Sequence, residues 1–108
     1  MRELKEKHCT PCKKETTPLN AEEIKQFKEK IDNDWKVVEN KKIRRDFSVK
    51  DFNEAMAFAQ RIALLADEED HHPDLGIHYG LVEVELSTHN IGGLSPNDFI
   101  LAAKIDAI

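Results

Sequence analysis

The chain has 108 residues, 40% of them apolar and 34% charged, with 21 acidic side chains against 16 basic ones and a formal net charge of -5. That balance supplies one hydrophobic core and a well-solvated surface, which fits a single globular domain and excludes a wholly disordered chain. The negative charge repels phosphate backbones and no apolar run matches a bilayer span or a secretory signal, so neither a nucleic-acid nor a membrane partner is expected and the location reads as cytoplasmic.

Residues 1–16 read as a flexible N-terminal tail, and residues 17–108 as one domain. The tail contains His8-Cys9-Thr10-Pro11-Cys12. A lone CxxC offers two thiolates to a zinc site or a redox pair, with His8 as a third ligand at most. The thiols are therefore read as idle and kept reduced in the cytosol, and no metal or cofactor is expected.

Three segments share a helix-start signature, an apolar residue, a polar cap, an acid three positions later and another apolar residue. They are Leu19-Asn20-x-x-Glu23-Ile24, Phe47-Ser48-x-x-Asp51-Phe52 and Leu94-Ser95-Pro96-x-Asp98-Phe99. In each, the cap side chain satisfies a backbone N–H that lacks a helical partner, while the apolar pair staples the entering chain. Pro96 falls at the first helical position, where its missing donor costs nothing. The middle helix repeats Phe52, Ala55, Met56, Ala59, Ile62, Ala63 and Ala66 on one face, with Phe58 and Leu65 widening the apolar arc. It is expected to end near His71, because Pro73 pushes His72 out of the helical region.

Between the first two helices, Trp35–Glu39 and Ile43–Phe47 read as strands joined across Asn40-Lys41-Lys42, with the basic run Lys41–Arg45 on solvated outer positions. After the middle helix, a short strand near Ile77–Tyr79 turns at Gly80 into Leu81–His89, where Val82, Val84, Leu86 and Thr88 alternate with Glu83, Glu85, Ser87 and His89. Gly92-Gly93 breaks the chain before the last helix. The expected fold is α+β, a four-stranded antiparallel sheet with three helices packed on one face, in the order α-β-β-α-β-β-α.

Four of the five histidines, His71, His72, His78 and His89, follow the body of the middle helix. Ends of elements around a sheet are where distant positions converge on a pocket. Asp67 lies four residues before His71, so on a helix its carboxylate reaches the imidazole, fixes the tautomer and favours the protonated form. His78 and Tyr79 read as a sheet-face residue and a packing aromatic.

Asp67, His71-His72-Pro73, Tyr79, His89 and Asp98 together resemble the motif of the pterin-4a-carbinolamine dehydratases, also called dimerisation cofactors of a homeodomain transcription factor. The phrases Asp51-Phe52-Asn53-Glu54-Ala55, Leu86-Ser87-Thr88-His89 and Gly93-Leu94-Ser95-x-x-Asp98 are similar to the family as well, so the likeness runs from about Trp35 to Asp106. It departs at Asp67, where members often have Glu, at Leu75, where animal members carry an aromatic, and at Asn97, where a basic residue is common.

The resemblance implies dehydration of 4a-hydroxytetrahydrobiopterin to quinonoid dihydropterin, which recycles the pterin cofactor of aromatic amino acid hydroxylases. That reaction removes the N5 proton and protonates the hydroxyl leaving C4a, work suited to imidazoles, whose unperturbed pKa is about 6.5. The catalytic histidines expected are His71, leading beside Asp67, His89 as the second proton-transfer group, and His72, which binds and orients the pterin. Asp67, Pro73, the backbone of Thr88-His89-Asn90-Ile91 and Asp98 complete the expected pterin site, with Asp98 also closing the capping box of the last helix. A pterin is the expected small-molecule partner, and the family implies a homodimer or homotetramer. Two other readings stay open, a non-catalytic pterin- or protein-binding module and a dehydratase of another pterin, such as one in molybdenum-cofactor metabolism.

Overall fold

The structure, a computed structural model, describes residues 3–108. Helix α1 spans Ala21–Lys28, strands β1 and β2 span Lys36–Val38 and Lys42–Ser48, and helix α2 spans Phe52–Glu69. Strands β3 and β4 cover Asp74–His78 and Leu81–Leu86, and helix α3 covers Pro96–Asp106. The strands form one antiparallel sheet in the order β1-β2-β4-β3. This is the α+β arrangement expected, with a short 3-10 turn at Leu4–Glu6 and another at His89–Ile91. No helix among the described residues is long and apolar enough to cross a membrane.

Two of the three expected caps are in place. Asn20 and Ser95 each accept from the first turn while Glu23 and Asp98 reach back to the cap N–H, closing two capping boxes. The middle cap is a correction. Ser48 still pairs with Leu81 as the last residue of β2, so the chain remains extended there, and Asp51 caps α2 by accepting from the Glu54 N–H at 2.8 Å. The β1–β2 turn places Glu39 and Asn40 at φ of 53° and 57°, and the Lys41 N–H closes it on the Val38 carbonyl. Paired left-handed residues match the twist of the flanking strands.

The buried face of α2 is rotated from the one expected. Ala55, Phe58, Ala59, Ile62, Ala66 and Glu69 are buried, whereas Phe52, Met56 and Ala63 are exposed. Phe58 sets the rotation, since its large ring packs on Phe47 with centroids 4.9 Å apart. The core beneath it joins Ile43, Val82, Val84 and Leu86 of the sheet to Leu94, Phe99, Leu101 and Ile105. Phe27 of α1 stacks on Phe99 at 5.2 Å, which fastens α1 to α3.

Arg45 is a second correction to the outer-face reading. Lys42 and Arg44 do meet Glu85 and Glu83 on the open face, but Arg45 alternates inward with Ile43 and Phe47. There its Nη1 donates to Asp106 Oδ1 at 2.8 Å, and the same carboxylate accepts from the fully buried Trp35 indole at 2.9 Å. Burial lifts the Asp106 carboxyl above its ordinary range, although the indole N–H and the guanidinium oppose the rise.

Candidate active site

The end of α2 decides where the histidine pair points. Asp70 adopts the left-handed conformation at φ 52°, the His71 N–H bonds the Ala66 carbonyl, and the Asp70 N–H reaches Asp67. This is a Schellman-type stop, three residues ahead of Pro73, and it reverses the chain before the helix can present His71 to Asp67. The expected Asp67–His71 pair is therefore replaced. Asp67 meets His72 instead, Oδ1 to Nε2 at 2.9 Å with both side chains exposed, while His71 turns inward.

His71 Nε2 lies 2.6 Å from Asp98 Oδ1, with the imidazole 11% exposed and the carboxylate fully buried. A carboxylate accepts, so the proton between the two sits on Nε2. Asp98 Oδ2 accepts from the Ser95 N–H at 3.0 Å and from Thr88 Oγ1 at 2.9 Å. Asp98 therefore closes the capping box of α3 through Oδ2 and meets His71 through Oδ1. Proton order follows from the remaining partners. The Asn97 N–H donates to Ser95 Oγ, which leaves the Ser95 hydroxyl to donate to Thr88 Oγ1 at 2.7 Å and the Thr88 hydroxyl to donate to Asp98.

Thr88 continues the inward alternation of β4, but the strand itself stops at Leu86. An isolated bridge from Thr88 to Gly93 closes a loop in which His89–Ile91 make the 3-10 turn and Gly92 takes φ 65°. His89 consequently stands at the tip of a loop rather than at the end of the long strand. It is exposed, with Nε2 3.7 Å from Asp74 Oδ2, just beyond Pro73. Hydrogen bonds and chain adjacency so connect His71, Asp98, Thr88 and His89, while Asp67 and His72 lie on the solvent side. A cavity of about 310 Å³ opens beside this loop, lined by Ser87, Thr88, His89, Gly92 and Gly93 and by the β1–β2 turn. A larger one, about 550 Å³, lies between Leu4, Ile31 and Ala103 and shares none of the site residues.

Glu69 was not among the expected residues, yet it is a buried carboxylate next to Asp70. Its signal was its helical phase, since it continues the buried series Ile62, Ala66 on the core face. It accepts from the Cys9 N–H at 2.8 Å and from His8 Nδ1 at 2.9 Å, and Lys104 lies 3.7 Å away. The segment set apart as a tail therefore lies against α2 and α3, with Leu4 buried in the core. Burial pushes the Glu69 carboxyl up, but the Cys9 N–H, His8 and Lys104 outweigh it and hold it below its ordinary value of 4.5.

A depressed folded value contributes stability that is fully present above the unfolded value and is lost as pH falls through the folded one. Acidification below 4.5 is accordingly expected to loosen His8 and Cys9 from Glu69, and with them the neighbouring Thr10. Amide exchange at Cys9 and Thr10 measures this, and a Glu69→Gln variant is expected to lose the pH dependence in that range.

The sequence model of the family described as pterin 4 alpha carbinolamine dehydratase matches residues 17–108. A relative from Alkaliphilus metalliredigens, provisionally named a pterin-4-alpha-carbinolamine dehydratase, is 42% identical over 106 residues, which is 98% of this chain and 96% of its own. Another with that provisional name, from Legionella pneumophila, is 45% identical over 107 residues, covering 98% of this chain and 95% of its own. A solved structure of a transcriptional coactivator/pterin dehydratase from Brucella melitensis superposes with a TM-score of 0.77 at 34% identity, covering 84% of this chain and 97% of that one. With the histidine motif, the fold and the matched length in agreement, the chain belongs to the pterin-4-alpha-carbinolamine dehydratase family.

Proposed function

We propose that this chain dehydrates 4a-hydroxytetrahydrobiopterin to quinonoid dihydropterin and water in the cytoplasm, by histidine acid/base catalysis, and so returns the cofactor of aromatic amino acid hydroxylases to use. The observation that supports it is the buried carboxylate of Asp98, which holds His71 Nε2 and is tied through Thr88 to the loop bearing His89. In this reading His71 Nδ1 accepts the pterin N5 proton, and Asp98 stabilises the imidazolium that forms. The N5 electron pair forms the C4a=N5 bond as the C4a–O bond breaks. His89, exposed at the loop tip, protonates the departing hydroxyl, which leaves as water. His72 binds and orients the ring with Pro73, and the backbone of Thr88 to Ile91 holds the pterin edge. Turnover of synthetic 4a-hydroxytetrahydropterin tests the proposal. A rate well above the uncatalysed dehydration is expected, and a rate equal to it would sink the reading.

Self-association, which accompanies the dehydratase reading, is supported by one surface. Phe52, Met56 and Leu64 of α2 are exposed, Leu64 by 73%, along a broad arc that the sheet does not cover. Such a patch on a small protein marks a contact with another chain, and the neighbour from Brucella melitensis is named a coactivator as well as a dehydratase. We read the occupant as further copies of this chain, giving a homodimer or homotetramer. Light scattering at micromolar concentration is expected to show an oligomer, and a paired Met56→Glu, Leu64→Glu variant a smaller species. A parent that scatters as a monomer counts against self-association.

A further inference from the structure

The acid/base reading makes no use of the His8–Cys12 segment, yet this strap touches all three segments that build the site. At the end of α2 it meets Glu69 through the Cys9 N–H and His8. At the loop of His89, Asn90 Nδ2 donates to the Cys12 carbonyl at 3.4 Å. The densest contacts fall on Asn97, which is 5% exposed and directly precedes Asp98. The Thr10 N–H donates to Asn97 Oδ1 at 3.0 Å, and Asn97 Nδ2 donates to the Thr10 carbonyl at 2.6 Å and to Cys12 Sγ at 3.5 Å. On the backbone side, Cys9 Sγ–H donates to the Asn97 carbonyl at 3.6 Å.

We propose that Asn97 is a positioning residue for the His71–Asp98 pair and that the reduced thiols of Cys9 and Cys12 are part of the clasp that holds it. The inference rests on the acid/base reading of His71 and Asp98. A buried amide keeps its place only while its donors and acceptor are satisfied, and among the described residues the strap supplies every side-chain partner. The Asn97 N–H in turn starts the hydroxyl relay through Ser95 and Thr88 to Asp98. Moving Asn97 therefore reorients the carboxylate that orients the imidazole. The Cys9 thiol suits a donor's role, because burial first, then the charges of Glu69 and Asp98, push it up to about 12 and keep it protonated.

Oxidation is the lever that reaches this clasp without mutation. With a low-molecular-weight disulfide RSSR, the Cys12 thiolate attacks one sulfur and expels RS⁻. The Cys9 sulfur, giving up its proton, then attacks Cys12 in the mixed disulfide and expels the second RS⁻. The protons of both cysteines end on two RSH, so the pair loses two electrons and RSSR gains them. A Cys9–Cys12 disulfide has no S–H left to donate to the Asn97 carbonyl, and its sulfurs are drawn to about 2.05 Å of each other.

The test compares the full-length parent, Asn97→Ala and a Cys9→Ser, Cys12→Ser double variant, each before and after treatment with glutathione disulfide. Serine cannot form a disulfide, so the double variant is the oxidation control: whatever its starting rate, glutathione disulfide is expected to leave that rate unchanged. In Asn97→Ala, and in the parent once mass spectrometry shows the internal disulfide, kcat is expected to fall about tenfold with KM little changed, the mark of misplaced catalytic groups. Dithiothreitol restores the oxidised parent. An unchanged kcat in Asn97→Ala or in the oxidised parent overturns the proposal, as does a pair that stays reduced. If the parent itself shows no turnover, the dehydratase reading fails separately, and the clasp is read by amide exchange at Asn97, Asp98 and Phe99. Faster exchange in both altered forms supports it and unaltered exchange overturns it.

Discussion

Alanine at His71 or at His89 is expected to lower the catalysed dehydration about 10²- to 10⁴-fold in each single variant, the range typical of positioned acid/base groups. Removing both should cost less than the product of the single losses, because groups that act on one proton-transfer event are not additive. Asp98→Asn is expected to approach the His71→Ala loss, since its amide can present a donor to Nε2 and favour the wrong tautomer. His72→Ala should act mainly on KM, in keeping with its exposed place beside Asp67. His78→Ala should leave both constants alone. Circular dichroism establishes that each variant is folded before its kinetics are read. Folded His71→Ala and His89→Ala proteins that turn over at the parent rate would rule out the assigned roles and favour the binding-module reading.

Asp106→Ala is expected to destabilise the fold by about 2 kcal/mol, because it removes the shortest carboxylate contact of a largely buried guanidinium and leaves only the more exposed Asp34 at 3.4 Å and Asp32 at 3.6 Å. Arg45 and Asp106 are 18% and 19% exposed at the side chain, so solvent replaces little of the lost contact. Arg45 Nε is already buried without a partner among the described residues, and the Trp35 indole would lose its acceptor as well. Asp106→Asn separates charge from hydrogen bonding. Because burial raises the Asp106 carboxyl, its contribution to stability is greatest below the unfolded value of 3.8 and declines as pH rises through the folded one. The neutral amide, which still accepts from the indole, should therefore stay near parental stability at neutral pH. Urea unfolding with an unchanged slope measures both variants, and an Asp106→Ala midpoint equal to that of the parent would contradict this account.

Local chemistry made much of this fold legible. Asn20 and Ser95 are caps because a short polar side chain meets an orphan N–H whatever the rest of the molecule does. Val82, Val84, Leu86 and Thr88 turn inward because a strand has a period of two and one face of this sheet is covered. The spacing of Asp67, His71-His72-Pro73, His89 and Asp98 identified the family for the same reason, as each residue occupies a defined place in these elements. Tertiary structure decided the partners. Ser48 has the chemistry of a cap, but pairing with Leu81 kept it in the sheet. Asp67 has helical spacing to His71, but the left-handed Asp70 turned the chain and gave His71 to Asp98, 27 residues away. Phe58 against Phe47 chose which arc of α2 is buried. Glu69 shares the buried phase of α2, but its partners, and those of the Asn97 side chain, come from the docked His8–Cys12 segment, which nothing local in the sequence joins to them. Caps and alternation depend on neighbours within a few residues, whereas these pairings depend on which surfaces the folded core brings together.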